Sequence, residues 1–258
     1  MLLDADFLRY SRQLMLPLCG ESGIQRLRQA RVALVGLGGL GSLVAPYLAA
    51  AGVGTLRLFD HDSVSLSNLP RQWLYQETDV QMPKVAVMAR QLKTIHAGLK
   101  VGATAVRVSA DNVHHLLSDI DLIIDCSDNM ATRQLLNQHA FKTETPLVTG
   151  AAIGMQAQGM AFHSAHCGAE YNAGCYHCLY PITELAAGSC QTDGVLGPVV
   201  GMAGCYQATL ALRILLQDPA MQWSQLWRFD LASGNQQIIQ ITQDPACPVC
   251  AGHASAFS

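Results

Sequence analysis

Apolar and polar positions alternate along the first half of the chain with two different periods. Residues 31–35, RVALV, form a short β-branched run, the mark of a buried strand. Gly36, Gly38, Gly39 and Gly41 then fall within six positions. Ser42 is placed to N-cap an Ala/Leu-rich helix reaching about residue 51. A second apolar strand, 55–59, ends on Asp60. Further on, Pro83 opens a helix in its first turn, continuing to about residue 96. Strands are predicted over 100–106, 121–126, 146–149 and 155–162, with helices over 111–117 and 130–143 between them. The alternation then stops. A long apolar helix over 194–216 follows, and then a hairpin from 226–231 to 237–242 turning through Ser233-Gly234-Asn235. Residues 6–28 are expected to be helical, with a break near 17–23.

This order predicts an α/β fold. A helical arm (1–30) leads into a Rossmann-like nucleotide-binding βαβ half (31–150). A second half (151–258) completes a mixed sheet with C-terminal antiparallel strands. No linker or repeat interrupts it, so a single domain over 1–258 is expected.

Strand, glycine turn, helix, strand and acid together form a nucleotide-binding unit. Without side chains the turn lets backbone N–H groups approach phosphate, and the helix N-terminus adds partial positive charge. Asp60 is placed to accept from ribose hydroxyls. These features alone also fit an NAD-dependent oxidoreductase.

The next stretch, HDSVSLSNLPRQ, lies beyond a strand's carboxyl end, where open α/β sheets bind ligands. Ser67, Asn68, Arg71 and Gln72 are therefore candidate contacts, although such loops are also plain connections. Lys84 in a first helical turn opposes the helix dipole, which calls for an anion beside it, phosphate being the natural one. In DCSDN, Asp128 offers a hard oxygen ligand for Mg²⁺, and either Asp128 or Asn129 can cap the following helix.

Composition narrows the picture. Of the 258 residues, 50% are hydrophobic and 14% charged, which suits a compact enzyme. The net charge of −3 and the lack of a basic tract argue against nucleic acid. The N-terminus lacks the order of a signal peptide, and no run is expected to span a membrane, so a cytoplasmic location is expected. Nine cysteines in such a chain argue against a disulfide framework. Two pairs have C-x-x-C spacing, Cys175/Cys178 and Cys247/Cys250, with 68 residues between them. Four thiolates suit a closed structural zinc site that staples the tail to a distant loop, and a redox pair is the rival. His177 and His253 are possible substitute ligands. Cys190, in a polar glycine-containing segment before a helix, is a candidate nucleophile. Arg9 and Arg12 are spaced to share one helical face, where a solvated surface is the ordinary expectation.

Taken in order, RYSRQ, GLGGLGS, SNLPRQ, Pro83-Lys84, DCSDN and the two cysteine pairs resemble the ThiF/MoeB/HesA family, bacterial relatives of ubiquitin-activating enzymes. The resemblance covers nearly the whole chain. It implies an adenylyltransferase that uses ATP and Mg²⁺ to activate the C-terminal Gly-Gly carboxylate of a ubiquitin-like sulfur-carrier protein. Gly39, Asp60, Asn68, Arg71 and Lys84 resemble the family's ATP set, and Asp128 its Mg²⁺-associated acid. Arg12 resembles the arginine that reaches the neighbouring subunit's site, which implies a homodimer. The four paired cysteines resemble its structural Zn²⁺ ligands. The stretches DNMATRQ, GPVVG and CPVCAG lie closer to the members that activate ThiS for thiamine thiazole synthesis than to those that activate MoaD for molybdopterin. In the former, a cysteine at the position of Cys190 links covalently to the carrier. Pro70 departs from the usual glutamine, and residues 163–173 match no motif. A non-catalytic adaptor is disfavoured because Arg12, Arg71, Lys84 and Asp128 are all retained.

Overall fold

The computed structural model describes residues 2–167, 173–181 and 194–251. Eight strands form one sheet: β1 (Arg31–Val35), β2 (Thr55–Phe59), β3 (Lys100–Thr104), β4 (Leu122–Asp125), β5 (Leu147–Ile153), β6 (Gln156–Phe162), β7 (Gln225–Asp230) and β8 (Asn235–Gln240). Their spatial order is β3-β2-β1-β4-β5-β6-β7-β8. The first five are parallel, and from β5 onward each pairing is antiparallel. The mixed sheet expected from the sequence is therefore present. β8 is one edge and β3 the other, and all six residues of β8 are exposed.

Helices cover both faces, which is why β1 and β4 are apolar at successive positions. Alternate residues of β1 feed two cores. Val32 and Leu34 pack with α3 (Gly20–Gln29), α4 (Gly41–Ala51), α5 (Lys84–Ile95) and α9 (Gly197–Leu215). Ala33 and Val35 pack with α6 (Val113–Leu116), α7 (Met130–Lys142) and the segment around α8 (Tyr176–Leu179).

Several local expectations are corrected. The N-terminal arm breaks into α1 (Asp4–Arg9) and α2 (Ser11–Leu14) before α3, so Arg9 and Arg12 lie on different helices. Arg9 donates to the Ile95 carbonyl, while Arg12 is exposed and has no partner among the described residues. Ser42 does not cap α4: Leu40 is the N-cap, and Ser42 is buried inside the first turn, donating to the Gly39 carbonyl at 3.1 Å. The final hairpin turns one residue earlier than expected, with Gly234 at φ +73° and Asn235 already in β8. α9 is long and apolar enough to cross a membrane, contrary to the expectation for that run, but it packs on β5, β6 and α4 within the core.

Candidate functional site

The site begins at β1. β1 sits between β2 and β4, so the chain leaves it on one side and later returns on the other. Loops diverge at such a switch point and open a crevice beyond the strands' carboxyl ends. A cavity of about 660 Å³ occupies this position.

Three of the four turn glycines are demanded by the protein's own packing. A Cβ on Gly36 (φ +93°) would lie 2.6 Å from the Cys126 carbonyl oxygen, and one on Gly39 2.5 Å from Val200 Cγ1. A Cβ on Gly41 would lie 2.0 Å from the Gly36 oxygen. Gly38 differs, since its nearest protein atom would be Gln72 Nε2 at 3.7 Å. It lines the cavity, and its missing side chain leaves room on the ligand side.

Asp60 is buried and braces the turn. Its Oδ2 accepts from Leu37 N–H at 2.6 Å and its Oδ1 from Asp62 N–H at 2.8 Å. Each oxygen retains a second lone pair for a ligand hydroxyl. The loop after β2 curls into a short 3-10 turn, Leu66–Asn68, and the Asn68 carbonyl accepts from the Arg71 and Gln72 N–H groups. That turn aims Ser67, Asn68, Arg71 and Gln72 at the cavity. Gln72 is only 2% exposed, and its buried Oε1 has no partner among the described residues. Leaving such an atom unpaired costs about 1–3 kcal/mol.

Lys84 is buried at the start of α5, and the anion it needs is partly supplied by the protein: Nζ donates to Asp62 Oδ2 at 2.9 Å. Burial works to raise the Asp62 pKa, but the Lys84 hydrogen bond and charge, with His61 and Arg107, hold the carboxyl below its usual value. Across the crevice, Asn129 caps α7, its Oδ1 accepting from Thr132 N–H at 2.9 Å. Asp128 is left exposed at the cavity, and its one side-chain hydrogen bond among the described residues is a 3.5 Å contact from the Asn129 amide. Its carboxylate is thus available to a cation. Asp125, by contrast, is buried and fully engaged, accepting from Ser127 Oγ at 2.6 Å and Thr149 Oγ1 at 2.9 Å.

The structure thus gathers Gly36, Gly38, Gly39, Asp60, Ser67, Asn68, Arg71, Gln72, Lys84, Asp128 and Asn129 around one cavity. Gly41 shapes the turn beneath it without lining it, and Arg12 does not line it either. Cys190 lies outside the described residues. Sequence reading missed Asp62, Arg107 and Arg133, which also line the cavity. Asp62 had a signal in its position two residues after Asp60.

The cysteine pairs also come together. Cys175, Cys178, Cys247 and Cys250 place their sulfurs within 4.8 Å of one another. Cys175 and Cys247 are 3.7 Å apart, and Cys178 and Cys250 are 3.4 Å apart. Asn137 Nδ2 and Asp244 N–H point at Cys175 and Cys178 at 3.4 Å each, the kind of outer donor that thiolate ligands carry. Burial pushes the Cys178 thiol up to about 12. A bound cation would reverse that and hold the thiolate. His177 is turned to Gln134, and His253 lies outside the described residues.

A glycine turn at the switch point of a mixed sheet, lined by cations and the exposed Asp128 carboxylate, defines a nucleotide-binding α/β protein. The ThiF family matches residues 10–249, and the chain belongs to that family. It is 39% identical over 251 residues to the sulfur carrier protein ThiS adenylyltransferase of Escherichia coli K12, covering 96% of this chain and 97% of that one. It is 36% identical to the molybdopterin-synthase adenylyltransferase of the same organism, covering 96% and 98%. The crystal structure of E. coli MccB with MccA-N7isoASN shares the fold at a TM-score of 0.80 and 20% identity, covering 95% of this chain and 74% of that one.

Proposed function

We propose that this protein uses ATP to adenylate the C-terminal carboxylate of a ubiquitin-like sulfur-carrier protein, with ThiS as the carrier. The observation that carries this reading is the single crevice holding Asp60, Asn68, Arg71, Lys84 and Asp128 together. The relatives' names supply the substrate class. A carboxylate oxygen attacks the α-phosphorus of ATP, the bond to the bridging oxygen breaks, and pyrophosphate leaves. No protein nucleophile is required. The step needs fixed phosphates and cations on the departing charge. Arg71 and Lys84 provide positive charge in the crevice, and Gly38 leaves the backbone accessible to phosphate. Asp60 holds the ribose. Asp128 is the residue that would hold Mg²⁺, which when bound supplies charge neutralisation on the triphosphate. A hydride-transfer reaction expels no pyrophosphate, so it has no need of a metal-holding carboxylate such as Asp128 beside the phosphates.

Arg12 completes the site from the neighbouring subunit of a homodimer. Its exposure, and the exposed Leu8, Met15 and Leu16 around it, support that arrangement. The cysteine cluster holds Zn²⁺. Tetrahedral Zn–S bonds of about 2.3 Å set sulfurs about 3.8 Å apart, close to the spacings found here. The chain acts as one domain whose second half, 151–258, receives the carrier, in the cytoplasm. The Cys190 thiol then attacks the carbonyl of the acyl-adenylate, forming a thioester with the carrier as the acyl–phosphate bond breaks and AMP leaves.

MoaD is the second reading, supported by the similar identity to the molybdopterin-synthase adenylyltransferase. ATP–pyrophosphate exchange with ThiS, with MoaD and with no carrier decides between them. Exchange that requires ThiS is the expected result. Exchange with MoaD alone moves the pathway and keeps the chemistry, and exchange with neither overturns the reading.

A further inference from the structure

α7 joins two places far apart in sequence. Its N-terminus carries the Asp128 loop, and its side receives the knuckle that begins at Cys175. Between them runs a line of buried polar groups. Asn137 is fully buried; its Nδ2 points at Cys175 Sγ at 3.4 Å, and its Oδ1 accepts from Tyr176 N–H at 3.2 Å. Tyr176, itself 1% exposed, presents its hydroxyl to Arg133 Nη1 at 3.5 Å. Arg133 Nη2 donates to the Ser127 carbonyl at 2.8 Å. Ser127 precedes Asp128, and its own N–H and hydroxyl are held by Asp125. A guanidinium is the side chain suited to such a span, because its planar fork offers two donors in fixed directions.

We propose that Arg133 is a positioning residue for the adenylation reading above: it ties the Ser127 carbonyl, and with it Asp128, to the Cys175 knuckle, so that metal loading of the cysteine cluster sets the order of the Asp128 loop. On this view the cluster does more than staple the tail. Loss of metal frees the knuckle, loosens Tyr176, and releases the carbonyl next to Asp128 without altering the glycine turn. Lysine at this position reaches one oxygen only and restores part of the effect.

The test is hydrogen exchange on metal-loaded and chelator-stripped protein, with strand β2 as internal reference. Stripping the wild-type protein is expected to speed amide exchange at residues 126–129 by about tenfold, with little change in β2. Loaded Arg133→Met already exchanges fast there, and stripping adds nothing. Arg133→Lys falls between, and Tyr176→Phe, which removes one hydroxyl, repeats part of the loss should Arg133→Met fail to fold. A wild-type loop indifferent to stripping, a variant that still responds, or a rise shared equally by β2 overturns the link. In pyrophosphate exchange, Arg133→Met is expected to lower kcat about tenfold and raise the Mg²⁺ concentration for half-maximal rate, with KM for the carrier unchanged. A change confined to KM overturns the positioning role. If wild-type protein shows no exchange at all, the adenylation reading fails, and the hydrogen-exchange arm still decides the Arg133 link.

Discussion

Gly38 and Gly39 are neighbours with opposite reasons for lacking a side chain. Alanine at Gly39 collides with Val200 and overpacks the contact between the glycine turn and α9, so Gly39→Ala is expected to destabilise the fold by about 1–3 kcal/mol. Alanine at Gly38 meets only Gln72 Nε2, at an ordinary van der Waals distance, and its methyl intrudes on the ligand side of the cavity. Gly38→Ala is expected to melt within a degree or two of wild type while binding ATP at least tenfold more weakly; equal losses of stability in the two variants would refute the distinction. Asp128→Ala is likewise expected to stay folded and lose pyrophosphate exchange, and normal turnover would remove Asp128 from the reaction. The positions of these residues were legible in the sequence because a glycine turn and an acid at a strand end are local signals, but the packing of Gly39 against Val200 was not, since Val200 lies far along the chain. The partners were not legible. Asp62 neutralises Lys84 across a 22-residue separation, and only the packed structure shows that the helix-start lysine already has a carboxylate beside it.

At the scale of elements, α7 shows where pattern reading fails. Arg133, Gln134 and Asn137 follow a helical spacing that periodicity assigns to solvent, yet all three are buried against the cysteine knuckle. A polar stripe facing a polar partner carries the same sequence signature as one facing water. The cap was partly legible, since Asp128 and Asn129 both qualified. The structure divides the roles, giving the cap to Asn129 and leaving Asp128 to the cavity. Asn129→Ala is accordingly expected to cost about 1 kcal/mol, read as a lower melting temperature, and Asp128→Ala much less. Equal costs would mean that the two share the cap. At α4 the expected Ser42 cap failed because the chain turns helical from Leu40, two residues before the first polar side chain.

For the whole molecule, the α/β class and the mixed sheet followed from alternation, whereas the strand order and the division into two cores come from long-range pairing that no local pattern carries, and the role proposed for Arg12 needs a second chain. Coexpressing Arg12→Ala and Asp128→Ala subunits tests this. If Arg12 acts across the interface, each mixed dimer rebuilds one intact site, and random pairing in a two-fold dimer returns about a quarter of wild-type activity. Action within one chain returns none. Acid should also weaken the fold in a defined window. Burial lowers the pKa of both His163 and His166 below 6.5, His163 further through the charge of His166. Below about pH 6.5 the unfolded chain therefore binds protons first, and stability falls with pH until the folded-state values are reached. The urea midpoint between pH 7.5 and 5 should fall less steeply in His163→Gln, and an unchanged slope would exclude this histidine as a source.

The last strand has a bearing on handling the protein at all. β8 reads NQQIIQ, uncharged, with Ile238 62% exposed and a row of backbone groups facing outward at the sheet's edge. Such an edge is a template for another strand, and it lacks the lysine or proline that would repel one. Concentrated solutions should therefore grow edge-to-edge oligomers visible by light scattering, and Ile238→Lys should raise the concentration at which they form. The strand that closes the fold thus sets a colloidal limit on how much of the protein can be kept apart in solution.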